Sequence, residues 1–208
     1  MAARATARHR RASDLSGPEG NEHLTAMTGA VLLLGFAVEG GTILELHRLL
    51  WLHFVMGFLL LGPAALKIGS VLYRFARYYA RSEPYQRKGP PGPVLRVLGP
   101  LVVCTSVGVL GTGVILGYSG PGNGPWLLLH KATFVLWFGV MTIHVLAYAP
   151  RLPRLLLRRQ GRDFGQPASA AVPGAPARYL ALGLAIAAGV LVAAVTMHLS
   201  ARWGGGIG

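Results

Sequence analysis

Seven histidines occur in 208 residues. His9 sits in a basic tail, but His23, His47, His53, His130, His144 and His198 lie inside or at the edge of apolar stretches. An ionisable side chain at membrane depth is costly and usually functional. His130 and His144 are 14 residues apart. On a helix that spacing turns through about −40° modulo a full turn, so both project from one face. The helical rise separates them by about 21 Å. One metal group cannot use both. Two planar metal groups such as haems, stacked across a membrane, can take one each. Each would then need a second imidazole from another helix.

Five apolar runs supply the helices. They span Leu24 to about Ile43, Leu50 to Leu72, Val97 to Tyr118, Trp126 to Tyr148 and Tyr179 to Leu199. Each has the roughly 20 residues that cross about 30 Å of hydrocarbon. Backbone polar groups inside lipid must bond internally, so these runs are helices. A barrel would alternate apolar and polar residues, and these runs do not. The expected fold is an all-α integral membrane protein, a four-helix haem-binding bundle plus a fifth transmembrane helix. Residues 1–21 form a basic tail, 22–150 the bundle, 151–178 a basic Pro/Ala-rich linker, and 179–208 the fifth helix with a short outer tail.

Composition agrees with this class. Apolar residues make up 52% and charged residues 13% of the chain, about half the charged share of a globular domain. A single Cys excludes a disulfide-stapled fold. Sixteen of the 20 basic residues flank the runs on one side: Arg4, Arg8, Arg10 and Arg11; Arg74, Arg77, Arg81, Arg87, Lys88 and Arg96; Arg151, Arg154, Arg158, Arg159, Arg162 and Arg178. The positive-inside rule places that side, and the N-terminus, in the cytoplasm of an inner or plasma membrane, with the C-terminus outside. The net charge of +13 is therefore topology and attraction to anionic lipid. It is not a nucleic-acid footprint, which needs basic residues clustered on a soluble face. With seven acidic residues and no phosphate loop or Cys-pair metal site, neither hydrolysis nor an acidic proton relay is expected.

Depth pairs the histidines. His53 and His130 both lie about 20 residues from their cytoplasmic boundaries, so they are level near the outer surface. His23, at the start of the first span, is the candidate to face His144 near the inner surface. A cytoplasmic extension or tilt of the first helix would bring those two level. His47 competes with His53 but lies about 9 Å further out by the helical rise.

The quoted motifs are EHLTAMTGAVLLLG on the first span, HFVMG (His53 to Gly57) on the second, and LHK with TIHVLAY (His130, His144) on the fourth. The third span, LRVLGPLVVCTSVGVLGTGVILGY, has no histidine. Over about residues 22–150 this pattern resembles the cytochrome b membrane subunits of formate dehydrogenases and NiFe hydrogenases and their di-haem relatives. The resemblance implies two haem b groups ligated by His23, His53, His130 and His144. It also implies electron transfer between a quinone and a dehydrogenase or reductase partner subunit. The fifth span lies outside the pattern.

Supporting residues have plainer roles to weigh. Gly57, and Gly62, Gly69, Gly108, Gly111, Gly113 and Gly139 with it, admit either a flat cofactor or ordinary helix packing. Lys131 and Arg48 lie near the outer pair as cations for haem propionates, and Arg74, Arg77 and Arg151 near the inner pair. Lys67 lies 14 residues after His53, to snorkel inward or meet an inner propionate. His198 reads as interfacial, and Cys104 as a small buried residue. Tyr78, Tyr79, Tyr118, Tyr148, Trp51 and Trp126 form an interfacial belt. The first span's short apolar core also fits a signal peptide, which would leave a single-haem cytochrome on His53 and His130. From another class comes a haem-free transporter or membrane anchor. A transporter has no reason to match histidine depths in pairs.

Overall fold

The structure is a computed structural model in which residues 18–89, 93–149 and 175–203 are described. Arg4, Arg8, His9, Arg10 and Arg11 of the tail, and Arg151, Arg154, Arg158, Arg159 and Arg162 of the linker, lie outside these residues. Among the described residues six α-helices follow one another: α1 (Pro18–Leu44), α2 (Leu46–Tyr79), the short α3 (Glu83–Lys88), α4 (Pro93–Ser119), α5 (Gly124–Tyr148) and α6 (Ala175–Thr196). A 3-10 turn, Met197–Trp203, ends the described chain. All but α3 are long and apolar enough to cross a membrane, so this is an all-α, multi-pass membrane fold. Large apolar side chains such as Leu34, Leu128, Leu146 and Leu191 point outward, as lipid contact requires.

Two helices are longer than their apolar runs. α1 begins at Pro18 rather than Leu24, because polar PEGNEH finds partners on α2. The Asn21 amide donates to the Ser70 carbonyl at 3.1 Å, and the Thr25 and Ser70 hydroxyls bond at 2.9 Å. α2 has 34 residues, about 51 Å at the helical rise. That exceeds the hydrocarbon thickness by roughly 20 Å. The excess carries Arg74 and Arg77. There Tyr73 meets the buried Tyr85 of α3 at 6.2 Å between ring centres, and the Arg77 guanidinium lies 5.8 Å from the Tyr85 ring. This is the basic end of the bundle. The α1–α2 and α4–α5 junctions mark the opposite, turn end. Gly120, at φ +81°, supplies the left-handed residue that closes α4.

α2 is the hub, packed along its length by α1 on one side and α6 on another. The α1–α2 pairing is antiparallel, with a Gly35 Cβ position overlapping Leu60. α6 approaches α2 backbone to backbone. A Cβ on Gly62 would overlap the Ala185 carbonyl oxygen, and one on Gly189 would overlap that of Leu59. Pro63 explains the second contact. It has no N–H, so the Leu59 carbonyl four residues earlier loses its helical donor. The glycine Cα–H of α6 takes that place as a weak donor. The fifth helix, outside the sequence pattern, is thus integral to the bundle.

α4 and α5 form a second close pair. They join the first group through side chains. Leu110 packs on Leu32, Leu60 and Ala64, Gly117 sits against the Phe54 and Phe58 rings, and Phe36 meets Trp137 at 4.7 Å. Cys104, expected to be buried, is exposed on the outward side of α4.

Candidate functional site

The most informative geometry lies at the turn end. α2 and α5 run in the same direction, so the first turns of each bring His53 and His130 to one level. Their ring centres are 6.5 Å apart and their planes cross at 75°. Each is held through Nδ1 by a neighbour on its antiparallel partner helix. His130 Nδ1 lies 3.1 Å from Thr112 Oγ1 of α4. That hydroxyl's own proton goes back to the Gly108 carbonyl at 2.7 Å, so Thr112 accepts and His130 Nδ1–H donates. The Val109 carbonyl stands beside the same ring. Gly113 makes the seat, since a Cβ there would stand 3.0 Å from His130 Cε1.

His53 is held from α1. Its Nδ1 lies 2.9 Å from Thr42 Oγ1 and 3.0 Å from Glu39 Oε1. The Thr42 hydroxyl donates to the Glu39 carbonyl at 2.5 Å, which again makes His53 Nδ1–H the donor. In both rings the hydrogen-bond partners therefore assign the proton to Nδ1 and the free lone pair to Nε2. A ligating imidazole needs this state, with the second nitrogen fixing tautomer and orientation.

The spacing also suits one metal between the rings. A metal–imidazole bond of about 2.0–2.1 Å, with roughly 1 Å more to each ring centre, puts two opposed ligands a little over 6 Å apart. α5 has its close backbone contacts with α4 rather than with α1 or α2. Among the described residues no three His, Cys, Asp or Glu side chains gather to hold a bare ion. Two imidazoles suit a macrocycle that brings its own equatorial donors.

One repeat of 14 residues towards the basic end, the partners change. Lys67 of α2 is level with His144 of α5 and within electrostatic reach of it. The Lys67 ammonium donates to the Thr25 carbonyl of α1 at 2.5 Å, so it turns into the bundle instead of snorkelling out. His23 lies between Asn21 and Thr25, the two residues tied to Ser70 and Lys67. It therefore shares the depth of Lys67 and His144. The helical extension to Pro18 places His23 within α1, in its second turn. His144 stacks on Tyr148 at 4.7 Å, and its Nδ1 is buried with no hydrogen-bond partner.

A dry layer separates the two levels. Trp137, midway between His130 and His144, is buried and donates its indole N–H to Ser106 at 3.0 Å. Leu60, midway between His53 and Lys67, is 1% exposed and packs with Leu32 and Ala64.

Other expected residues play smaller parts. Gly57 packs on Glu39, and Lys131 and Arg48 are exposed. Among the remaining glycines, Gly69, Gly111 and Gly139 would meet open space, while Gly62 serves α6. His47 is exposed beside Glu45, 3.9 Å away. His198 is exposed and donates to the Val195 carbonyl. The residues that sequence reasoning missed are Glu39, Thr42, Thr112 and Trp137. The signals were present: a carboxylate 14 residues before His53, and a Trp at half the histidine spacing. A scan against models of known families, a search of curated proteins and a search of solved structures each found no match.

Proposed function

We propose that the protein is a membrane b-type cytochrome that relays electrons between a quinone and a redox partner protein through two bis-histidine haems. The observation that carries this reading is the His53–His130 pair, with ring centres 6.5 Å apart and both Nδ1 atoms engaged by side-chain oxygens, the arrangement in which Nε2 is the ligating nitrogen. His53 and His130 would hold one haem at the turn end. His23 and His144 would hold the other at the basic end, where the Lys67 ammonium supplies a nearby cation. Bound haem supplies a reversible one-electron iron couple. The chain's own work is to fix ligand tautomers, to hold the two sites about 21 Å apart along the helices, and to keep water out between them with Leu60, Trp137 and Phe36. The basic end faces the cytoplasm by the positive-inside rule.

The test is a reduced-minus-oxidised spectrum of the detergent-purified protein with haem quantified per chain. About two b-type haems are expected, falling to about one in His53→Ala and in His144→Ala. One haem in the wild type, lost in His53→Ala and kept in His144→Ala, gives the single-haem cytochrome. No haem under adequate supply refutes the reading in favour of a haem-free transporter or anchor.

A further inference from the structure

We propose that Glu39 and Thr42 of α1 are positioning residues that hold His53 in its ligating tautomer and orientation. This inference rests on the cytochrome reading above. Both side chains converge on one atom, His53 Nδ1, at 3.0 and 2.9 Å. Thr42 is 1% exposed, and its proton is committed to the Glu39 carbonyl. Its oxygen can then only accept from the ring. The carboxylate shares the same N–H. The Glu39 side chain is only 16% exposed, and its Oε2 is buried without a hydrogen-bond partner. A carboxyl group so placed is costly, and nothing in the packing of α1 calls for it. Gly57 lies against it, with a Cβ position 3.4 Å from Oε1.

The arrangement is unequal across the pair. His130 has the Thr112 hydroxyl and the Val109 carbonyl beside it, whereas His53 has a hydroxyl and a carboxyl group. An acceptor oxygen behind a ligating imidazole fixes its tautomer and orientation and raises its donor strength, and losing such a partner costs about 10–100-fold in metal affinity. His53 is therefore the better-anchored ligand of the pair.

The experiment uses full-length protein in detergent, carrying His144→Ala so that the turn-end haem is read alone. Haem release to excess apomyoglobin and the low-spin ferric EPR signal are measured. Glu39→Ala with Thr42→Val should speed release by about 10–100-fold and shift the EPR signal, while Glu39→Gln, which keeps an acceptor oxygen, should stay near the parent. Parent-like release and an unmoved signal in the double variant overturn the proposal and leave the cytochrome reading intact. Should the double variant fail to fold, the near-isosteric Thr42→Val decides, and a release rate within about twofold of the parent overturns it. Absence of haem from the wild type overturns both readings together.

Discussion

Gly189→Ala tests how α6 is held. The added methyl would overlap the Leu59 carbonyl oxygen, where a carbon–oxygen contact needs about 3.3–3.6 Å. Neither atom belongs to a flexible side chain, so the two backbones must part by more than about 1 Å. A gap of that size forfeits a quarter to a half of each van der Waals well along the seam. Overpacking of this kind costs about 1–3 kcal/mol. Gly183→Ala on the same helix is the control, because its Cβ meets nothing within 4 Å. Both substitutions gain the same helix propensity, about 0.5–1 kcal/mol, which cancels in the comparison. Unfolding in mixed detergent and SDS, followed by Trp fluorescence, should place Gly189→Ala about 1–3 kcal/mol below Gly183→Ala. Equal stability of the two variants would refute the backbone contact and the role assigned to Pro63.

Two further outcomes follow from the packing. Trp137→Ala should cost about 3–5 kcal/mol in the same assay, because it empties the layer between the histidine levels. A loss under about 1 kcal/mol would mean that the layer is not close-packed. At the basic end, burial first, and Tyr73 second, push the Tyr85 phenol above its ordinary value. Its neutral form is the one favoured in the folded state, so its contribution is complete below the ordinary tyrosine pKa. It fades as pH rises through the raised one. An ultraviolet titration should show a late-ionising tyrosine that disappears in Tyr85→Phe.

The five spans were legible because continuous apolar runs of membrane length admit one reading. The histidine register was legible because a 14-residue repeat keeps one face of a helix. The polar start of α1 was not, since PEGNEH becomes helical only by bonding to Ser70. α6 read as an appendage for a similar reason. Small residues announce a close contact but not its partner, and only the carbonyl freed by Pro63 identifies α2. Glu39 read only as one of seven acidic residues, because its meaning depends on α2 folding back so that His53 lies beside it. Thr112 was hidden by the absence of histidine from its own helix, whose contribution is to orient a histidine on the next.

The described helices fall into two groups, α1–α2–α6 and α4–α5, and the histidine pairs straddle the seam. A molecule gripped by His53 and His130 therefore bridges the groups, and its affinity adds to their cohesion by mass action. On the proposed haem reading, cofactor loading would act as an inspection step in biogenesis. Chains left empty would present a looser α4–α5 hairpin to membrane proteases, and abundance in the membrane would track cofactor supply.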